Sequence, residues 1–184
     1  KQIIAICGSP REGNCAWILR EIGSLSEGKL KLFFLKDMKM ELCDGCLHCE
    51  ATGKCKIDDD MKVFYEILPN CDAILIATPV YFDSIPALLK NFIDRLNPLC
   101  VNESLKGKEF YLIVVGQLSG EEGKESRRKV INYFKNLCEI FSMEFKKAWE
   151  FEARDAGEIK EKISEEQIKS IVMEIWKMRE ALKT

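Results

Sequence analysis

The chain has 184 residues, 47% of them hydrophobic and 32% charged. That suffices for one well-buried domain and is short for two, and the mix is that of an ordinary globular protein. A formal net charge of −2 with no long basic run argues against nucleic acid or an anionic membrane surface as the main partner. No apolar run approaches the ~20 residues that cross a bilayer.

The opening "KQIIAICGSP" runs straight into a strand-like segment rather than a signal peptide, which points to the cytoplasm. Nine cysteines are many for that compartment, and an odd count does not suit a secreted disulfide framework. Cys7, Cys71, Cys100 and Cys138 sit beside or within apolar runs and read as small buried hydrophobes.

In chain order, Gln2 to Cys7 is a continuous apolar run like a strand buried on both faces, and Asn14 to Ser26 has helical spacing. Lys29 to Leu35 is the next strand. Asp60 is placed to cap a helix through Leu68. Ala73 to Pro79 is a third strand, followed by a helix from Ser84 to Asn97, and Glu109 to Gly116 is a fourth. A long amphipathic helix puts Val130, Phe134, Leu137, Cys138 and Phe141 on one stripe. Glu144 to Phe151 is a weaker fifth strand. The last helix, at about 164–182, opens with Ser164 three residues before Gln167, the spacing of a capping box. Buried strands alternating with helices define an α/β fold, doubly wound, with a five-stranded parallel sheet in the order 2-1-3-4-5 and helices on both faces. Residues 1–184 form one domain.

In such a sheet the loops after strands one, three and four open on the same edge. The first, "CGSPREGNCA", leads into a helix whose free amides favour an anion. Ser9, Arg11 and Asn14 offer donors, and Gly13 permits close approach. The loop lacks the Walker lysine and the dinucleotide glycine spacing, so a monophosphate suits it better than a pyrophosphate. The second, "TPVYFDSIP", presents Pro79, Val80, Tyr81 and Phe82 in a row, which suits a flat aromatic ligand. The third, "GQLSGEEG", is polar and glycine-rich, as a loop passing close to a ligand is.

"CDGCLHCEATGKC" places Cys43, Cys46, Cys49 and Cys55 in the spacing C-x2-C-x2-C-x5-C. Three thiols two residues apart with a fourth further on suit an iron–sulfur cluster better than zinc, whose ligands usually come in two separated pairs. Uncoordinated thiols remain the alternative. His48 reads as a spacer within the motif.

Taken together, "GSPREGN", "CDGCLHC", "CKIDDDM" and "TPVYFDSIPALLKNFIDR" resemble the NADPH-dependent FMN reductase superfamily with its flavodoxin-like fold, over roughly the first 120 residues. The cysteine pattern resembles that of the iron–sulfur flavoproteins. The resemblance implies FMN with its phosphate on Ser9, Arg11, Gly13, Asn14, Cys15 and Ala16. Cys15 stands where many relatives have Thr, so its backbone amide is the expected donor there. The ring is expected against Pro79, Val80, Tyr81, Phe82 and Ser84, with Gly116, Gln117, Leu118 and Gly120 closing the other side. Asp83, often Gly in relatives, adds a carboxylate near the ring.

The resemblance further implies a [4Fe–4S] cluster on Cys43, Cys46, Cys49 and Cys55. It implies a ferredoxin-like electron donor, a small-molecule or protein acceptor, and a homodimer or homotetramer. No catalytic acid, base or nucleophile is expected, since the cofactors carry the redox chemistry. The rivals are a cluster-free NAD(P)H-dependent FMN or quinone reductase and a non-catalytic flavin- or zinc-binding module.

Overall fold

A computed structural model describes residues 1–176. Five strands, β1 (Ile3–Cys7), β2 (Leu30–Phe34), β3 (Ala73–Pro79), β4 (Glu109–Gly116) and β5 (Glu144–Glu152), form one sheet in the order β2-β1-β3-β4-β5. Every pairing is parallel, with β3 central and β1 lying between β2 and β3. The helices are α1 (Asn14–Ser24), α2 (His48–Thr52), α3 (Met61–Ile67), α4 (Ala87–Asp94), α5 (Asn97–Val101), α6 (Gly120–Ile140), α7 (Ile159–Lys162) and α8 (Glu165–Trp176).

The strand alternation sorts the core into two layers. Ile4, Ile6, Ile74, Ile76, Phe110, Leu112 and Val114 point to one face, where α3, α4 and α6 cover them with Phe64, Phe92 and Phe134. Ile3, Ala5, Cys7, Leu75, Tyr111, Ile113 and Val115 point to the other, under α1, α7 and α8. Because β1, β3 and β4 are covered on both sides, they read as largely apolar runs rather than alternating ones. The edge strand β5 is only partly covered, which explains its weaker sequence signal.

Several expected details change. Asp60 precedes α3 but does not cap it: its carboxylate accepts from the Lys39 backbone N–H at 2.7 Å. Asp59 instead accepts from the Met61 N–H at 3.0 Å. The expected helix from Ser84 to Asn97 is shorter. Extended Pro86 delays its start to Ala87, and after Asp94 the chain turns before Pro98 into the separate helix α5. Cys100 is half-buried rather than buried, whereas Cys7, Cys71 and Cys138 are buried as expected. Burial pushes these three thiols up to about 11, 11 and 12, so they stay protonated at neutral pH.

The Ser164 capping box forms: Gln167 Oε1 accepts from the Ser164 N–H at 2.9 Å, and Ser164 Oγ accepts from the Gln167 N–H at 3.2 Å. The part of the expected last helix beyond Trp176 lies outside the described residues. Among the described residues no helix is long and apolar enough to cross a membrane.

Candidate functional site

The carboxyl ends of β1, β3 and β4 open into a cavity of about 680 Å³, within the usual range for a cofactor pocket. One end is polar, with Ser9, Arg11, Asn14 and Cys15 from the turn between β1 and α1. The other is formed by Pro79, Val80, Tyr81, Phe82 and Asp83 after β3, faced by Gly116, Gln117 and Leu118 after β4. Of the residues singled out in the sequence, Gly13, Ala16, Ser84 and Gly120 do not line it. Ala16 is buried in the core, and Gly120 opens α6.

Each wall is held from behind. Gly8 N–H donates to the Ala77 carbonyl at 2.9 Å, and a Cβ at Gly8 would lie 2.6 Å from Leu89 Cδ2 on α4. A side chain there would prise α4 from the β1 turn. Ser9 is 4% exposed, and its hydroxyl donates to the Arg11 carbonyl at 2.9 Å, which folds the turn back on itself. Asn14 is placed differently from a free phosphate donor. Its Nδ2 donates to the Asp155 carbonyl at 3.0 Å, and its Oδ1 accepts from the N–H groups of Gly157 at 3.0 Å and Ile159 at 3.3 Å. The carboxamide thereby pins the segment after β5 over the start of α1.

The aromatic wall is a tight turn. Tyr81 and Ser84 exchange both backbone hydrogen bonds, at 2.8 and 2.9 Å. Between them Phe82 and Asp83 both have positive φ, 48° and 59°. Asp83 is fastened to α6, accepting from Ser126 Oγ and Lys129 Nζ, each at 2.6 Å. Lys129, with the Ser126 hydroxyl, holds the Asp83 carboxyl below its usual range.

Sequence reasoning missed part of the lining: Val115, Ser126, Ala153 and Arg154. Ala153 N–H donates to the Gly116 carbonyl at 2.9 Å, and Arg11 Nη2 donates to the Arg154 carbonyl at 3.0 Å. The signal was available. In a parallel sheet all five carboxyl ends share an edge, so the loop after β5 belongs with those after β1, β3 and β4.

The cysteine loop leaves the same edge after β2 and lies along α4 and α5. Cys43 and Cys46 are exposed, Cys49 and Cys55 half-buried. Buried Arg95 anchors both ends of the loop. Its Nη1 donates to the Glu41 carbonyl at 2.7 Å, and its guanidinium forks onto the Asp59 carboxylate at 2.6 and 3.1 Å. Asn97 Nδ2 donates to Cys49 Sγ at 3.0 Å, and Asn102 Nδ2 to the Gly53 carbonyl at 2.8 Å. Burial, with the Cys55 sulfur beside it, pushes the Tyr65 phenol up.

The residues fit the two implied groups differently. A cavity lined by Arg11 and Arg154 at one end and an aromatic turn at the other matches a flat ring with an anionic tail. The four thiols match an iron–sulfur cluster in donor type and number. Among the described residues, however, no three metal-ligating side chains converge on one point.

Comparison with known proteins agrees with this geometry. Residues 2–147 match the model of the NADPH-dependent FMN reductase family. An iron–sulfur flavoprotein of Methanocaldococcus jannaschii is 32% identical over 137 residues, covering 72% of this chain and 71% of that protein. One from Archaeoglobus fulgidus is 35% identical over 117 residues, 61% of this chain and 53% of its own length. The general stress protein 14 of Treponema denticola, solved in complex with FMN, superposes with a TM-score of 0.67 at 14% identity, over 94% of this chain and 98% of that one. The chain belongs to the NADPH-dependent FMN reductase family, a family of flavin-dependent oxidoreductases, and resembles within it the iron–sulfur flavoproteins.

Proposed function

We propose that the chain is an electron-transfer flavoprotein with FMN in the cavity and a [4Fe–4S] cluster on Cys43, Cys46, Cys49 and Cys55. Electrons would come from a one-electron donor such as a ferredoxin and leave to a small-molecule or protein acceptor. The observation that carries this reading is the shared sheet edge: α4 begins at the flavin turn and ends at the anchor of the four-thiol loop.

Bound there, the cluster supplies single-electron steps and the flavin couples them to pairs. The chain's residues bind and orient. Ser9 and Arg11 shape the anion end. Tyr81 and Phe82 offer apolar surface to a ring. Asn97 presents a polar hydrogen to Cys49, while the Tyr65 hydroxyl beside Cys55 donates to the Arg95 carbonyl at 2.7 Å. Nine free thiols, four of them not needed to fill the core, suit the reducing cytoplasm. Phe82 is fully exposed, and Leu42 and Leu47 are 75% and 59% exposed beside the cysteines; such surfaces favour a homodimer or homotetramer that covers them.

A second reading, a cluster-free NAD(P)H-dependent flavin or quinone reductase, draws support from the family's name. Iron, acid-labile sulfide and flavin content of anaerobically purified protein separates the two. Close to four irons and one FMN per chain is expected, with Cys49→Ser losing iron and keeping flavin. FMN without iron, together with rapid reduction by NADPH, would replace the first reading with the second.

A further inference from the structure

The polar end of the cavity is lined by two arginines from opposite ends of the chain. Arg11 comes from the turn after β1 and Arg154 from the loop after β5. They are tied to each other, since Arg11 Nη2 donates to the Arg154 carbonyl at 3.0 Å. Neither pairs with a carboxylate among the described residues, although eighteen ion pairs occur elsewhere. Two unneutralised cations beside one cavity repel each other, and a dianion between them removes that cost.

The loop that carries Arg154 is built rather than loose. Glu158 Oε2 accepts from the backbone N–H groups of Arg154 at 2.6 Å and Asp155 at 3.0 Å. Lys162, then those two N–H groups, bring the Glu158 carboxyl down to about 2, so it stays charged across the physiological range. Asn14, 7% exposed, ties the next residues to α1 through three hydrogen bonds. Its carboxamide serves this purpose instead of meeting an anion directly, and the loop it holds brings a stronger donor to the same place.

We infer that Arg154 is a phosphate-binding residue that closes, with Arg11, a two-arginine site for the FMN phosphate. The inference rests on the flavin reading above and adds to it a contribution from the far edge of the sheet. The phosphate turn after β1 supplies only half of the recognition. The loop after β5 crosses the sheet edge, joined to Gly116 through Ala153, and supplies the rest.

The test is titration of the flavin-depleted full chain with FMN and with riboflavin, which differ by the phosphate alone. For Arg154→Ala, FMN affinity is expected to fall about 10- to 100-fold with riboflavin affinity unchanged, the range of one charge-assisted contact. Arg154→Lys, which keeps the charge but not the fork, is expected to recover part of the loss. Arg154 is exposed, so the variants should fold, and unchanged melting temperatures verify that. If Arg154→Ala keeps the parent's preference for FMN over riboflavin, the inference is wrong while the flavin reading stands. Equal weakening of both flavins would reduce Arg154 to a packing role and also overturn it. A parent chain that binds FMN and riboflavin equally would overturn the inference and leave the flavin reading, whereas a parent that binds neither would remove both.

Discussion

Phe82 and Asp83 occupy the two central positions of a hairpin-like turn, where φ must be positive and Asn-Gly is the usual pair. A phenylalanine there carries a steric cost that nothing in the core offsets, because its ring lies fully in solvent. The turn persists because Tyr81 and Ser84 close it and because Asp83 is bound by Ser126 and Lys129. Phe82 lines the cavity, and the role proposed for its ring is contact with the ligand there. Phe82→Gly is therefore expected to leave stability unchanged or raise it by up to ~1 kcal/mol, since relief of strain outweighs the added freedom of the unfolded chain. FMN affinity should fall about 2- to 10-fold as an aromatic face is lost. Chemical denaturation and flavin titration read the two effects separately. A loss of stability above ~1 kcal/mol would mean that the ring packs against protein.

At the scale of elements, the cysteine loop is held by its ends. Arg95 is 1% exposed and Asp59 6%, so their pair is a buried one that joins the two ends of the loop to α4. Arg95→Met would leave the Asp59 carboxylate buried without its partner, a loss of about 3–5 kcal/mol. Adding Asp59→Leu to it should restore a large part, which a double-mutant cycle measures. The pair also sets a pH limit. Burial raises the Asp59 carboxyl, but Arg95 and the N–H groups of Glu41 and Met61 outweigh it, and the net direction is down. A carboxyl lowered on folding adds stability above its unfolded value, about 4, and that stability is lost as pH falls through the lower folded value. Protease cleavage within residues 42–58 is thus expected to stay slow from neutral pH down to about 4 and to accelerate below it. Loosening already at about pH 5.5 would assign the clamp to another group.

The same comparison shows what a sequence displays at this scale. Strands covered on both faces must be apolar throughout, so Ile3–Cys7, Ala73–Pro79 and Glu109–Gly116 were legible, as were the ligand loops that end in glycine or an aromatic run. The Arg95–Asp59 clamp was not, because two single charges 36 residues apart carry no local pattern. Arg154 carries no local motif either, and only the shared carboxyl edge of a parallel sheet points to its loop. The residue follows a half-exposed strand and meets Arg11 only because the fold returns it to the start of α1.

For the molecule as a whole, the two layers of core lie on either side of the sheet, and none of Cys43, Cys46, Cys49 or Cys55 belongs to either. The loop's attachment runs through Glu41, Asp59, Gly53 and the Cys49 sulfur, mostly to backbone carbonyls and a carboxylate. The domain and its flavin cavity are thus expected to fold independently of whatever the thiols hold. Replacing all four by Ser and comparing with the iron-free parent should move the melting temperature by no more than ~2 °C, the scale of surface substitutions. FMN content should be unchanged. Cys138→Ser, a single change inside the layer that contains Phe134 and Phe110, exchanges a buried thiol for a hydroxyl and should cost about 1–3 kcal/mol, a fall of several degrees. The contrast is the measurement: four changes in the loop should cost less than one in the core. If the fourfold variant unfolds or loses FMN, the loop is part of the folding unit, and the separation between a flavin domain and a thiol loop attached to it fails.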